Sequence, residues 1–188
     1  MRPSRVFRLL VRIFISLLTL SVTIVGMLGG MSAFMILLNP ENIGIDPSEI
    51  DINFNPSPLN VNFTLPFNLT NAGYFDLEHL ELKIDLGMNY SHVNYTGSGV
   101  NVSRVIKVFN KSENFGTILK GTTGNFNYTG LFSDFNFPPS LNMTTDVDWT
   151  VGPPAILFIA NFTISLDYSI GLQSLTISFT NIPVGGFP

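Results

Sequence analysis

From Ile13 to Leu38 the chain runs for 26 residues without a charged side chain. As an α-helix at about 1.5 Å per residue this segment reaches about 39 Å, more than the roughly 30 Å of a bilayer's hydrocarbon core. Arg2, Arg5, Arg8 and Arg12 precede it, and Glu41, Asp46, Glu49 and Asp51 follow it. Basic residues stay on the cytoplasmic side, so Met1 is expected inside and residues 39–188 outside. The competing reading is a cleaved signal peptide, with a cleavage region drawn through Gly29, Gly30, Met31, Ser32 and Ala33. Against it, the apolar run continues through Phe34–Leu38, and Met31 stands where a small residue is preferred. A retained anchor is the expectation. Gly26 with Gly30, and Gly29 with Ala33, have the small-xxx-small spacing that lets helices approach closely in lipid. Glycine is also simply common in membrane helices.

Beyond the anchor the pattern changes period. Val61, Phe63, Leu65, Phe67 and Leu69 alternate with Asn60, Asn62, Thr64, Pro66, Asn68 and Thr70. Two-residue alternation means a strand with one buried face. Pro66 cannot donate to a ladder, which predicts a sheet edge or a bulge there. Asn71-Ala72-Gly73 marks a turn, and a second strand follows with Leu80, Leu82, Ile84 and Leu86 inward. Residues 88–99 read as a loop. Val100–Phe109 is β-rich with an irregular phase, and Gly121–Asn142 shows no clear element. Phe162, Ile164, Leu166 and Tyr168, then Leu175, Ile177 and Phe179, predict two strands joined near Gly171 as a hairpin. The segment 39–58 is rich in Pro, Asn and Asp and reads as a stalk, with one short strand over Ile50, Ile52 and Phe54. The expected organisation is a basic tail (1–12), a transmembrane helix (13–38), the stalk (39–58) and an extracytoplasmic β-sandwich (59–188).

Nine Asn-X-Ser/Thr sequons follow the anchor: Asn62, Asn68, Asn89, Asn94, Asn101, Asn110, Asn127, Asn142 and Asn161. Chance would give about 3. A sequon is used only outside the cytoplasm and on an accessible surface, so their position agrees with the charge rule independently. Asn62, Asn68 and Asn161 also fall on the outward phase of their predicted strands.

The rest of the composition mainly excludes. Past Leu38 there are five Lys/Arg against all 13 Asp/Glu, an unfavourable balance for nucleic acid. The absence of cysteine removes disulfides, thiolate catalysis and Cys-based metal sites. His79 and His92 lack a third ligand at metal spacing and read as surface histidines. Asp146 and Asp148 could share a face toward calcium, but a polar strand face explains them as well. Phe54, Phe63, Phe126, Phe137 and Phe162 could stack on sugars, though core packing explains most of them. No residue is nominated as catalytic, and no cofactor or metal is expected.

The stretch FTLPFNLTNAGYFDLEHLELKIDL, Phe63–Leu86, resembles the start of the water-stress and hypersensitive-response domain, the late-embryogenesis-abundant group 2 fold also found in archaeal membrane-anchored proteins. The matching positions are Phe67, Asn71, Gly73, Phe75, Leu80 and Leu82. The resemblance implies an immunoglobulin-like antiparallel β-sandwich of about seven strands, without enzymatic activity. The combined expectation is an archaeal-type, membrane-anchored, glycosylated surface protein with a structural or interaction role. Its partners would be the lipid bilayer, its N-linked glycans, and other membrane or cell-envelope proteins met through the anchor helix or stalk. The alternative is a secreted filament subunit, assembled by strand exchange through Ile50–Phe54 after N-terminal cleavage.

Overall fold

A computed structural model describes residues 3–46, 49–56, 59–93, 101–136, 155–168, 171 and 173–187. Among the described residues, one long helix, α1 (Pro3–Leu38), precedes eight strands in two antiparallel sheets. The strands are β1 (Ile43–Ile45), β2 (Asp51–Pro56), β3 (Leu59–Thr70), β4 (Leu77–Val93), β5 (Asn101–Ile118), β6 (Thr123–Gly130), β7 (Ala155–Tyr168) and β8 (Gln173–Phe187). The first sheet is centred on β3, with β6 on one side and β1 and β2 sharing the other. The second has the order β5-β4-β7-β8. The inward faces meet in one apolar core.

The alternation read in the sequence is the alternation of burial. Val61, Phe63, Leu65, Phe67 and Leu69 are buried on β3, Leu80 to Met88 at every second position on β4, and Ile156 to Tyr168 likewise on β7. Burying each such side chain contributes about 1.5–3 kcal/mol against the entropy of ordering it. The β7–β8 hairpin turns at Gly171, whose φ of +76° suits a residue without Cβ.

Four expectations need correction. First, the described part of residues 39–58 is not a stalk, although the short strand expected there is present as β2. That part is a 3-10 turn at Pro40–Asn42 followed by β1 and β2, which pair with β3 of the same chain. Ile43, Ile45, Ile50 and Ile52 pack against the core, which is why this Pro-rich segment carries apolar residues. Second, Pro66 lies on the central strand of its sheet rather than on an outer one, although the ladder beside it is open, as the expected edge requires. It faces Asn127 on the β6 side, while the partners on the other side stop at Ile45↔Phe67 and resume at Asp51↔Thr64. The break between β1 and β2 accommodates the missing N–H.

Third, β4 continues through the predicted loop to Val93, with Met88 fully buried, so Asn89 is on a strand. Fourth, β6 lies inside the stretch that showed no element. Its inward positions are Gly124, Phe126, Tyr128 and Gly130. A Cβ on Gly130 would strike the Phe63 ring, and one on Gly124 the Phe126 ring. Two glycines thus hide the strand from a hydrophobicity pattern while making room for the aromatics. Phe63 meets Phe109 edge-on at 5.0 Å and stacks with Tyr128 at 5.9 Å. Phe67 and Phe115 meet edge-on at 4.9 Å.

The irregular phase of β5 is a bulge. Leu86 pairs with Phe109 and Gly87 with Lys107, so Val108 is the extra residue, and it and Phe109 are both buried. The Val108 carbonyl accepts the Asn136 N–H at 2.8 Å.

Two tyrosines are fully buried with their hydroxyls bonded. Tyr128 donates to the Lys111 carbonyl at 2.9 Å, and Tyr168 to Asn71 Oδ1 at 3.1 Å. Burial is the main cause that holds both phenols far above their ordinary value of 10.0. The unfolded chain ionises them first, so their contribution to stability is full below about pH 10 and is lost as pH rises further. Circular dichroism should show an alkaline transition above about pH 10, with part of the tyrosinate absorbance appearing only as the fold is lost. Tyrosinate absorbance complete before any loss of strand signal would contradict it.

Candidate functional site

The constructed region of this molecule is where α1 joins the sandwich. From Phe7 to Ile24 every helix residue is exposed; beyond that, Val25, Gly26, Leu28, Gly29, Ser32, Ala33, Met35 and Ile36 are partly or fully buried. That spacing is one face of a helix laid along the open edge between the sheets, beside β1 and β8. Ile36 is fully buried in the core. Of the four residues read as candidates for packing between membrane helices, Gly29 is buried, Gly26 and Ala33 are half-buried, and Gly30 is exposed. A Cβ on Gly26 would lie 4.0 Å from Gln173 Nε2, whereas one on Gly30 would meet nothing. The structure therefore uses the small residues mainly for packing the helix on its own domain.

One polar pin crosses this contact. Ser32 is fully buried, its hydroxyl donates to the Leu28 carbonyl at 2.8 Å, and it accepts the Tyr74 N–H at 2.8 Å. Gly73 allows the approach, since a Cβ there would be 2.7 Å from Ser32 Cβ.

Behind it lies Asn71, fully buried, whose side chain makes four hydrogen bonds. Nδ2 donates to the carbonyls of Phe75 and Ile118, each at 3.0 Å. Oδ1 accepts from the Gly73 N–H at 3.0 Å and from the Tyr168 hydroxyl at 3.1 Å. The amide's two donors and two acceptor positions are all used. Its backbone adds Asn71 N–H to the Thr122 carbonyl at 2.9 Å, and Gly121 N–H to its own carbonyl at 2.8 Å. Asn71 thus ties β3, the entry to β4, the turn between β5 and β6, and the end of β7. Sequence reasoning saw a turn residue here and missed the hub. The signal available was an Asn-x-Gly turn followed by an inward-phase tyrosine a hundred residues later, which spacing alone could not join.

Beside the helix end is an apolar cleft of about 310 Å³, lined by Ile36, Leu37, Ile43, Ile45, Phe162, Ile177, Phe179 and Ile182. Its lining side chains are all apolar, so it can bury apolar surface and presents no side chain for acid–base or nucleophilic chemistry.

The sequons occupy both outer faces. Asn62 and Asn68 on β3 and Asn127 on β6 are exposed on the first sheet. Gly44 stands opposite Asn68, and a Cβ there would strike the Asn68 side chain. On the second sheet Asn110 and Asn161 are exposed and flank Asp85 in register. Asn110 Nδ2 donates to Asp85. Asn161 Oδ1 accepts the Asn181 N–H at 2.8 Å, a bond that uses the oxygen rather than the nitrogen a glycan would carry. Asn89 is half-buried between Val105 and Leu157, and Asn101 begins β5. Asn94 and Asn142 lie outside the described residues, as do Asp146 and Asp148.

His79 is exposed at a bulge of β4 with φ +52°, and Nδ1 lies 3.4 Å from Asp167 Oδ2. His92 is also on β4, well along the strand. Among the described residues no three His, Cys, Asp or Glu are grouped to hold a metal ion. At the far end of the sandwich Lys111 Nζ meets Asp134 Oδ2 at 2.8 Å; this bond, helped by the Leu131 N–H, holds the Asp134 carboxyl below its ordinary value.

No protein-family model and no curated protein matches the chain. Among solved structures it is similar to Spo0M, a sporulation control protein from Bacillus subtilis, at 15% identity and a TM-score of 0.31, over 74% of this chain and 48% of that one. It is also similar to the putative ApaA protein from Bordetella pertussis, at 10% identity and a TM-score of 0.24, over 77% of this chain and 88% of that one. The chain spans about half the length of Spo0M. Likenesses of this size carry no argument about what this chain does. One N-terminal helix, Phe7–Leu38, is long and apolar enough to cross a membrane, with mean hydropathy 2.2.

Proposed function

We propose that this protein is a single-pass cell-surface glycoprotein, anchored by α1 with its N-terminus in the cytoplasm and its β-sandwich outside. Its role is structural or interaction-based, as an accessory subunit or envelope component of the kind the late-embryogenesis-abundant group 2 resemblance implies, rather than enzymatic. The observation that carries this reading is the pairing of an apolar helix, exposed from Phe7 to Ile24, with a sandwich whose sequon asparagines at 62, 68, 110, 127 and 161 are exposed. The charge asymmetry around the helix supports the orientation, and a cleft lined by apolar side chains favours burial of apolar surface over catalysis. Strand exchange through Ile50–Phe54 finds less support, because β2 completes the sheet of its own chain. Intact mass of the protein recovered from alkali-washed membranes tests the proposal. The expected species begins at Met1 and carries glycan mass. A species beginning between residues 30 and 35, released by the wash, would overturn the anchor.

A further inference from the structure

The helix exits the sandwich at a level that can be set against a bilayer. A hydrocarbon core needs about 20 helical residues. Counted from the exposed Arg8 or Arg12, the outer boundary falls at about residues 28 to 32. That stretch is already docked. Ser32 holds Tyr74 by a 2.8 Å hydrogen bond, and Gly26 passes Gln173. The 71–76 turn is tied in turn to the 119–122 turn through Asn71. With no stalk to lift the domain, this end of the sandwich lies at the depth where hydrocarbon gives way to headgroups.

The side chains and sequons fit that depth. Tyr74, Leu119 and Lys120 are exposed there: an aromatic with a polar tip, an aliphatic and a long-stemmed cation. These are side chains that interfacial layers accept. Of the carboxylates near this end, Asp76 accepts the Lys120 N–H at 2.8 Å, and Asp167, opposite Glu78 in the β4–β7 ladder, lies 3.4 Å from His79. None of the nine sequons falls in 71–76 or 119–122, two described connections of this end.

We propose that the sandwich stands directly on the membrane, with Tyr74, Leu119 and Lys120 in the headgroup layer of the outer leaflet. This rests on the anchor reading above. The absence of native cysteine allows a clean test in the full chain. Single variants Leu17→Cys, Leu119→Cys and Leu131→Cys, all at exposed positions, are labelled with an environment-sensitive fluorophore and reconstituted in phosphatidylcholine–phosphatidylglycerol vesicles. The vesicles carry nitroxide lipids, labelled at the headgroup or along the chain. Leu17 lies in the free helix, and Leu131 follows β6 at the far end. Headgroup nitroxide should quench the Leu119 label at least about twofold more than the Leu131 label, and chain nitroxide should quench the Leu17 label. Quenching at Leu17 with Leu119 no different from Leu131 overturns the membrane-standing arrangement and leaves the anchor. No quenching at Leu17 overturns the anchor and this inference with it.

Discussion

Asn71→Asp lowers the melting temperature of the detergent-solubilised full chain by on the order of 10 °C. The substitution keeps the shape and removes both donors, so the Phe75 and Ile118 carbonyls face a buried carboxylate instead of an amide. One carboxylate oxygen keeps the Gly73 and Tyr168 donors, but the other faces two carbonyls; burying that charge, or protonating the carboxyl to supply one donor where the amide supplied two, is unfavourable in either case. The loss is about 3–5 kcal/mol, equivalent to roughly 2–4 °C per kcal/mol in a domain of this size. Tyr168→Phe is the graded comparison. It removes one donor to Oδ1 while Gly73 still supplies the other, for about 1 kcal/mol. Equal effects from the two variants would contradict the hub.

Ile36→Ala destabilises the same protein by about 2–4 kcal/mol, although Ile36 belongs to the apolar run expected to lie in the bilayer. Its side chain is fully buried in the sandwich core and borders the apolar cleft, so truncation would extend an existing void. Phe34→Ala, at an exposed position two residues earlier, should leave the stability within about 0.5 kcal/mol of the parent value. If both variants are neutral, the helix is tethered to the domain rather than packed on it.

The strands legible in the sequence were those whose inward positions are all large and apolar. β3, the start of β4, and β7 declare themselves by strict alternation from Val61, Leu80 and Phe162 onward. Where another demand interrupts that pattern, the signal fades. Gly124 and Gly130 make room for rings, Val108 sits in a bulge, and Pro66 fits a break in the neighbouring ladder. The stalk reading failed because Pro and Asn are frequent in residues 39–58; Ile43 and Ile45 make too short a run to declare β1, and the alternation of Ile50, Ile52 and Phe54, though read as a strand, did not say that it pairs with β3. The helix–sandwich junction was illegible for a different reason. Ser32, Gly73, Asn71 and Tyr168 are polar or small residues whose meaning lies in contacts 42 and 97 residues apart in sequence. The sequons needed only local motif and strand phase, so their exposure could be anticipated on the clear strands.

Those exposed asparagines give the most direct test of the account. Glycopeptide mapping of the native protein from isolated membranes should find glycans on the exposed sites Asn62, Asn68, Asn110, Asn127 and Asn161. Unmodified asparagine at all five, in protein recovered from its native membrane, would contradict an extracytoplasmic sandwich and the surface role built on it.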